Sequence, residues 1–209
     1  MKLLKFCIGA FIAATISTGA SAATVTFDFT GGNQGGWQNS LSYALSGVNL
    51  SVTGGTYSDG FNITGAAQVR SYSGSGLGVR SPNDTNSQID GSGNNDAAIF
   101  SFSQAVTLNS VSFAPSTISG SDYFDQFTSN TGTPLLRDLD VLAASTYTFA
   151  APRTALNFAI GAYFSTSAYY IRSITVSFAD PTSVPLPAAG WALLAGLGSI
   201  GLMRRRRKS

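Results

Sequence analysis

TVTFDF, at residues 24–29, alternates polar and apolar side chains without a break, so its apolar residues lie on one face of an extended chain. IRSITVSF, at residues 171–178, repeats this alternation with one slip near Ser173. Such alternation is typical of a β-strand that buries one face and exposes the other. The two stretches therefore predict strands close to both ends of one β-rich segment.

The segment between these stretches has the same character. Short alternating runs are separated by clusters of Gly, Ser, Asn, Asp and Pro, which are the residues that favour turns. We find about ten strand candidates and no helical pattern of useful length. The other clear candidates cover residues 99–102, 111–113 and 156–160, and the weaker ones cover residues 45–52, 61–71, 76–80, 122–127 and 147–149.

These strands predict an all-β fold for residues 23–179. Many short strands at regular spacing favour an antiparallel β-sandwich of jelly-roll type, although the number of strands does not by itself separate a sandwich from a closed barrel. One domain of this kind accounts for most of the 209 residues and leaves short appendages at the two ends.

The net charge of +2 hides an acidic domain between two basic ends. Lys2, Lys5 and residues 204–208 supply seven of the 12 basic residues, and all ten acidic residues are aspartates between Asp28 and Asp180. The segment between the ends has five arginines against ten aspartates, which gives a charge of about −5. Because a nucleic-acid-binding domain needs a basic surface, the composition argues against nucleic acid as a partner.

The missing residue types exclude the commonest catalytic and metal chemistries. The chain has no histidine and no glutamate, and its one cysteine, Cys7, precedes the predicted domain. Catalysis by histidine, a thiol nucleophile and a zinc site of the usual kind are therefore excluded from residues 23–179. We expect a noncatalytic domain without disulfides.

Residues 1–22 are organised like a secretory signal peptide. Two lysines precede an apolar run at residues 6–16, and Ala20-Ser21-Ala22 forms an A-x-A cleavage site. Cleavage after Ala22 would make Ala23 the first residue of the exported chain. The apolar run of about 11 residues is too short for a membrane span, which needs about 20.

The C-terminal end has the composition of a membrane helix that stops at a basic cluster. Apolar and small residues cover residues 188–203 and would form about 24 Å of helix, somewhat less than the hydrocarbon thickness of about 30 Å. The cluster that follows, at residues 204–209, would stay on the cytoplasmic side and leave the domain outside. Its basic residues are Arg204, Arg205, Arg206, Arg207 and Lys208.

Before this helix, residues 180–187 form a linker that ends in a proline motif. The motif VPLPA, which is Val184-Pro185-Leu186-Pro187-Ala188, together with the apolar run and the arginines, resembles the sorting tail of the PEP-CTERM family in its VPLPA variant. The resemblance implies recognition by an exosortase, a transpeptidase-like membrane enzyme that removes the helix and the basic end. It also implies a Gram-negative bacterium that makes exopolysaccharide. A permanent membrane anchor is the alternative, for which the helix and the arginines would suffice.

Three stretches of the domain, at residues 76–79, 89–102 and 171–178, resemble a recurrent extracellular domain that precedes such tails. This resemblance implies a β-sandwich and a role at the cell surface or in the extracellular matrix. Residues 121–140 depart from it, because SNTG at residues 129–132 stands where such domains often have a compact Asp-Gly turn.

The loop DGSGNND, at residues 90–96, is the best candidate for a metal site. Asp90 and Asp96 supply two carboxylates, the residues between them add side-chain oxygens, and the glycines allow a tight wrap. Since calcium prefers six to eight hard oxygen ligands, we predict Asp90 and Asp96 as calcium ligands, with Asp84 and backbone carbonyls completing the shell. The alternative is an ordinary turn, because Asp, Gly and Asn are also the usual residues of turns.

Aromatic residues indicate a second kind of site. Exposed rings can stack on sugars, although aromatic side chains are also the usual occupants of sheet faces and of the core. The residues concerned are Tyr163, Phe164, Tyr169 and Tyr170 near the C-terminal strands and Trp37 in a Gly-rich loop.

Together these features predict an exported surface or extracellular matrix protein, sorted by an exosortase, whose noncatalytic β-sandwich contributes to surface or polysaccharide interactions and is linked to exopolysaccharide. Two alternatives stay open. A calcium-dependent carbohydrate-binding module requires Asp90 and Asp96 to converge on one point near an exposed aromatic surface. An aspartate-based hydrolase requires two carboxyl groups that converge in a cleft, about 5 Å apart in a retaining glycosidase and up to about 9.5 Å apart in an inverting one.

Overall fold

The computed structural model of the protein describes residues 22–32, 36–58, 60–115, 122–128, 133–140 and 145–179. The predicted signal peptide as far as Ser21, the sorting motif and the helix at residues 188–203 lie outside these ranges and stay predictions. Among the described residues, no helix is long and apolar enough to cross a membrane. Residues Ala22–Ala179 form one compact unit.

The described residues contain twelve β-strands and no helix, which confirms the predicted all-β fold. Burial follows the alternation of the sequence: in β1, Val25 and Phe27 are buried while Thr24 and Thr26 are exposed. The strands are β1 Ala22–Asp28, β2 Ser40–Leu45, β3 Val48–Tyr57, β4 Ile63–Tyr72, β5 Gly76–Arg80, β6 Ile89–Asp90, β7 Asn95–Pro115, β8 Tyr123–Thr128, β9 Thr133–Asp140, β10 Thr146–Thr148, β11 Thr154–Gly161 and β12 Ala168–Ala179.

The longest strand, β7, organises the sheet, in which every pairing is antiparallel. Its first part pairs with β3 and β11, and its last part pairs with β12 and β10. The strand order is β1-β12-β5-β4-β3-β7-β11-β8-β9, and β12 also pairs with β7, which closes the path between them. Outside this order, β2 pairs with β3 and β6 pairs with β12. Because β7 changes partners along its length, it links the strands that pair with its first part, β3 and β11, to those that pair with its last part, β12 and β10.

The buried side chains form one large core and one small cluster. The large core takes the inward residues of most strands, and it includes fully buried rings such as those of Phe29, Phe113 and Tyr169. Two consecutive residues of β7 pack on opposite sides of the sheet: Ala97 belongs to the small cluster and Ala98 to the large core. Neighbouring residues of a strand point to opposite faces, so this part of the sheet is covered on both faces. The small cluster contains Tyr57, Phe61, Ala97, Phe127 and Ala159.

Three of the predicted strands have the wrong extent. Residues 45–52 are not one strand, because Ser46 and Gly47, with φ of 51° and 80°, form a two-residue turn between β2 and β3. The runs at residues 99–102 and 111–113 belong to the single strand β7. The polar residues between these runs continue the strand while its pairing partners change.

The alternation of the last two strands is interrupted by bulges. Leu156, predicted to share a face with Phe158 and Ile160, is 50 % exposed, because an irregularity between Ala155 and Asn157 shifts the pattern of β11. The slip expected near Ser173 is confirmed as a register shift in β12.

Candidate metal centre

The segment that links β5 to β7 brings three of the ten aspartates together. Asp84 lies in the loop after β5, Asp90 is the last residue of β6, and Asp96 is the second residue of β7. Asp90 pairs with Ala168 of β12, and Asp96 stands opposite Thr56 of β3. Neighbouring strands therefore fix the backbone of two of the three residues.

The carboxyl groups of Asp84, Asp90 and Asp96 converge, with one oxygen of each within 4.8 Å of the others. Asp96 is 0 % exposed and Asp90 is 1 % exposed, whereas Asp84 is half-buried. Three carboxylates at this separation repel one another strongly when all are ionised. The charged form of the cluster therefore requires a neutralising cation.

Few hydrogen bonds compensate these carboxyl groups. The Ser92 backbone N–H donates to Asp90 Oδ1 at 2.7 Å, and the Asn86 backbone N–H donates to Asp84 Oδ1 at 2.8 Å. Asp84 Oδ2, Asp90 Oδ2 and both oxygens of Asp96 are buried and have no hydrogen-bond partner. Because buried polar atoms are nearly always paired, these oxygens could be satisfied either by protons or by a bound cation.

The protonation of the cluster depends on whether a cation is bound. Burial, and then the charges of Asp90 and Asp84, raise the pKa of Asp96 to about 8. Burial also raises the pKa of Asp90 to about 6, against the opposing effect of the hydrogen bond from Ser92. A divalent cation favours the ionised carboxylates, so its binding releases protons from the cluster.

The ligands available here favour calcium over a transition metal. Carboxylates are hard oxygen ligands, and the domain has neither histidine nor cysteine. No arginine among the described residues forms an ion pair with the three aspartates, and the domain has no lysine. Ser81 lies beside Asp96 and offers a hydroxyl oxygen. Ca²⁺ is thus the cation that this set of oxygens fits best.

The aspartate loop is held against residues 161–167. Gly91 lies so close to them that an added Cβ would be 2.6 Å from the Tyr163 carbonyl oxygen and 2.5 Å from that of Phe164. The Ala162 N–H donates to the Asp96 carbonyl at 3.0 Å. Glycine is therefore required at position 91, and these contacts fix the backbone between the two aspartates.

The structure separates the five aromatic residues that the sequence grouped as a sugar platform. Tyr163 and Phe164 follow β11 beside the aspartate loop, and Phe164 is 40 % exposed. Trp37 and Tyr170 form a separate group around Tyr72. The five residues therefore do not form one surface.

For Tyr169 the structure supports the core alternative. Its side chain is 0 % exposed and packs in the large core, with its ring 5.2 Å from that of Phe113. Burial, with smaller contributions from Asp125 and Asp122, raises the pKa of its hydroxyl well above the ordinary value. Tyr169 is a core residue and not a sugar contact.

Two further buried aspartates were not expected from the sequence. Asp122 accepts a hydrogen bond from the Ala168 N–H at 2.9 Å, and Asp125 accepts one from the Tyr57 hydroxyl at 2.9 Å. These bonds connect the β8 region to β12 and β3. The only sequence signal for their burial was their position around the apolar residues of YFDQF.

No protein-family model, curated protein or solved structure matches this chain. The features that bear on function are therefore the predicted leader, the predicted sorting tail and the cluster of Asp84, Asp90 and Asp96.

In calcium-free buffer, the domain is expected to melt at a lower temperature at pH 8.5 than at pH 5.5. Asp90 and Asp96 have folded-state pKa values of about 6 and 8, above the ordinary aspartate value of about 3.9, so the folded chain binds more protons over this range. Stability therefore falls as the pH rises, by about 4 kcal/mol or about 8–16 °C. Calorimetry in EDTA measures this, and a melting temperature that increases with pH would contradict it.

Proposed function

We propose that this protein is an exported component of the cell surface or extracellular matrix, and that a calcium ion bound by Asp84, Asp90 and Asp96 stabilises its noncatalytic β domain. The observation that carries the proposal is the convergence of buried carboxylate oxygens that lack hydrogen-bond partners. Extracellular calcium-binding modules work at about 10⁻⁴–10⁻³ M calcium, which suits an exported domain.

The role of the ion is structural. It would connect the loop after β5 to β6 and to the start of β7, three pieces of chain that otherwise meet through repelling carboxylates. Because the cation binds only where the three side chains converge, it stabilises the folded state over the unfolded one.

The architecture that we propose is an antiparallel β-sandwich of jelly-roll type. Inward residues of β1, β4, β5 and β12 share the large core with those of β3, β7 and β11, as expected for two packed layers. The long strand β7 would belong to both layers, since it pairs with β3 and with β12.

Export and sorting are supported by the sequences at the two ends. Lys5 and the apolar run lead to the A-x-A site, and the VPLPA motif with its helix and arginines resembles an exosortase signal. Ala22 pairs with Ala179, so both appendages join the domain at the same end. After tail removal, such a domain would be attached through that end and present the rest of its surface.

The two alternatives differ in their support. An aspartate-based hydrolase needs carboxyl groups that contact substrate, and the nearly complete burial of Asp90 and Asp96 speaks against it. A calcium-dependent carbohydrate-binding module has a specific observation in its favour, because the carbonyls of Tyr163 and Phe164 pack against the aspartate loop.

Calcium is expected to raise the melting temperature of residues 23–179 by about 8 °C at a hundredfold excess over Kd, since such an excess stabilises by about 2.7 kcal/mol. Asp96→Asn keeps the size of the side chain but removes the central ligand charge. The variant's melting temperature should not change with calcium. Without calcium, the variant should be at least as stable as the wild-type protein. Asp28→Asn, at an exposed position of β1, is the matched control and should respond like wild type. An unchanged wild-type melting temperature at millimolar calcium would refute the metal site.

A further inference from the structure

A surface on the outer face of β4 and β5 carries three aromatic rings and two arginines. Trp37 and Tyr170 each contact Tyr72, with ring centroids 6.0 and 5.5 Å apart. The Arg70 guanidinium carbon lies 4.6 Å from the Tyr72 ring centroid, and that of Arg80 lies 4.6 Å from the Trp37 ring centroid. These cation–π contacts hold both guanidinium groups in place before any ligand arrives.

The register of the two strands places the arginines close together. Arg70 and Arg80 are half-buried, while the residue before each, Val69 and Val79, is fully buried in the large core on the opposite face. Gln68 pairs with Arg80, two residues before Arg70, so the arginines are diagonal neighbours on one face. A single extended ligand can therefore contact both.

Most hydrogen-bond donors of these guanidinium groups are unused by the described residues. Arg80 Nη2 donates to Gln68 Oε1 at 3.0 Å, and Arg70 Nε is buried without a partner. Neither arginine forms an ion pair with a described carboxylate. Each guanidinium has five donors in a planar fork that matches a carboxylate. The pair is thus arranged to receive an anionic group from outside the chain.

A cleft of about 330 Å³ adjoins Arg80. Its volume is at the lower end for small-ligand sites, in which a few polar groups orient the ligand. The amides of Asn39, Gln68 and Asn83 line it and can bind hydroxyl groups. Asp84 also lines it, but its Oδ1 accepts the Asn86 N–H and its Oδ2 is buried with the metal centre.

We propose that Arg70, Arg80 and the adjoining cleft bind an acidic polysaccharide, with sugar carboxylates on the guanidinium groups and sugar hydroxyls on the amides of Asn39, Gln68 and Asn83. A neutral polysaccharide has no carboxylate to pair with the guanidinium groups of Arg70 and Arg80. A nucleic acid carries one phosphate charge per nucleotide and needs a broad basic surface, which two arginines on a domain with a charge of about −5 do not supply. The choice of a polysaccharide rests on the proposed export of the chain.

The test uses the tryptophan at the site. Trp37 is the only tryptophan within residues 23–179, so the fluorescence of this calcium-loaded domain reports on it alone. Hyaluronan oligosaccharides are titrated as the carboxylated probe and dextran fragments of equal length as the neutral one. We expect a saturable signal with hyaluronan and none with dextran.

Four arginine variants assign the site. Arg70→Gln and Arg80→Gln should each weaken hyaluronan binding by about tenfold or more, because each loses charge-assisted hydrogen bonds. Arg80→Lys keeps the charge but loses the fork, and its affinity should fall between wild type and Arg80→Gln. Arg153→Gln, at an exposed arginine before β11, should bind within about twofold of wild type.

The melting temperature of every sample, with and without calcium, separates this inference from the proposed function. A normal calcium response without hyaluronan binding overturns the polysaccharide site and leaves the metal centre intact. Equal binding of dextran, equal binding of a thymidine oligonucleotide of matched charge, or unchanged affinity in both Gln variants also overturns it. A Gln variant that melts far below wild type is replaced by Arg80→Lys, whose unchanged affinity likewise counts against the site.

Discussion

Changing Pro185 and Pro187 to alanine is expected to abolish removal of the C-terminal tail. In a host that contains an exosortase, the wild-type protein should lose the peptide that ends in Arg207-Lys208-Ser209, while the double variant should keep it and stay in the inner membrane. Proline disfavours helix for itself and for the residue before it, so the proposed signal would offer the enzyme an extended segment outside the membrane. Alanine favours helix, so the predicted helix could lengthen toward the domain. The extended backbone that an exosortase active site would bind would then be lost.

The arginines and the prolines have separable roles in this experiment. In the proposed mechanism the basic cluster would hold the chain in the membrane before processing, because each cation at the bilayer centre costs about 2.5–3.5 kcal/mol. Ser183→Ala, next to the motif, changes neither feature and should be processed like wild type. Mass spectrometry of the terminal peptides provides the measurement. If the wild-type protein keeps its tail peptide, the tail is a permanent anchor and not a processing signal. The same spectra test the N-terminus, where a peptide that still contains Lys5 would contradict cleavage before Ala23.

Gly78→Ala is expected to lower the melting temperature of the domain by about 6–12 °C, from a destabilisation of about 3 kcal/mol. Gly78 lies in β5 directly beneath the loop that carries Asp84. An added Cβ would overlap the Ser87 carbonyl oxygen and lie 3.1 Å from the Tyr170 ring. The Ser87 and Tyr170 hydroxyls are hydrogen-bonded at 2.7 Å, so the loop is tied down where the methyl group would enter.

The same substitution should weaken calcium binding. If the loop is displaced from β5, Asp84 moves away from Asp90 and Asp96 and the metal centre loses one ligand. Gly31→Ala is the matched control, because no atom lies within 4 Å of an added Cβ and the backbone there does not have positive φ. Its melting temperature and calcium response should equal those of wild type. A Gly78→Ala protein that loses stability but keeps wild-type calcium affinity would show that the loop position and the metal centre are independent.

The loop after β5 therefore connects three features of the domain. It supplies Asp84 to the proposed metal centre, lines the cleft through Asn83 and covers β5 at Gly78. If calcium binds there, its charge would lower the negative charge beside Arg80. Calcium binding should then favour an acidic ligand in the cleft rather than compete with it.

The sequence by itself determined the fold class and the candidate metal loop. The alternation in TVTFDF is local, and it persists in the burial of Val25 and Phe27. The oxygen-rich composition of residues 90–96 identified two of the three converging aspartates and proposed the third. Both features are written in a few consecutive residues, so they needed no knowledge of distant parts of the chain.

Only the tertiary structure decided which strands pair and which side chains are buried. β6, with two residues, is too short to show a pattern, and it exists because β12 offers it a partner. Tyr169 and Tyr170 look alike in the sequence, yet one is in the core and the other contacts Tyr72. Leu156 became exposed because a bulge changed the phase of β11. Burial and pairing depend on contacts between residues far apart in the chain, and the carboxylate oxygens of Asp96 became unpaired only through those contacts.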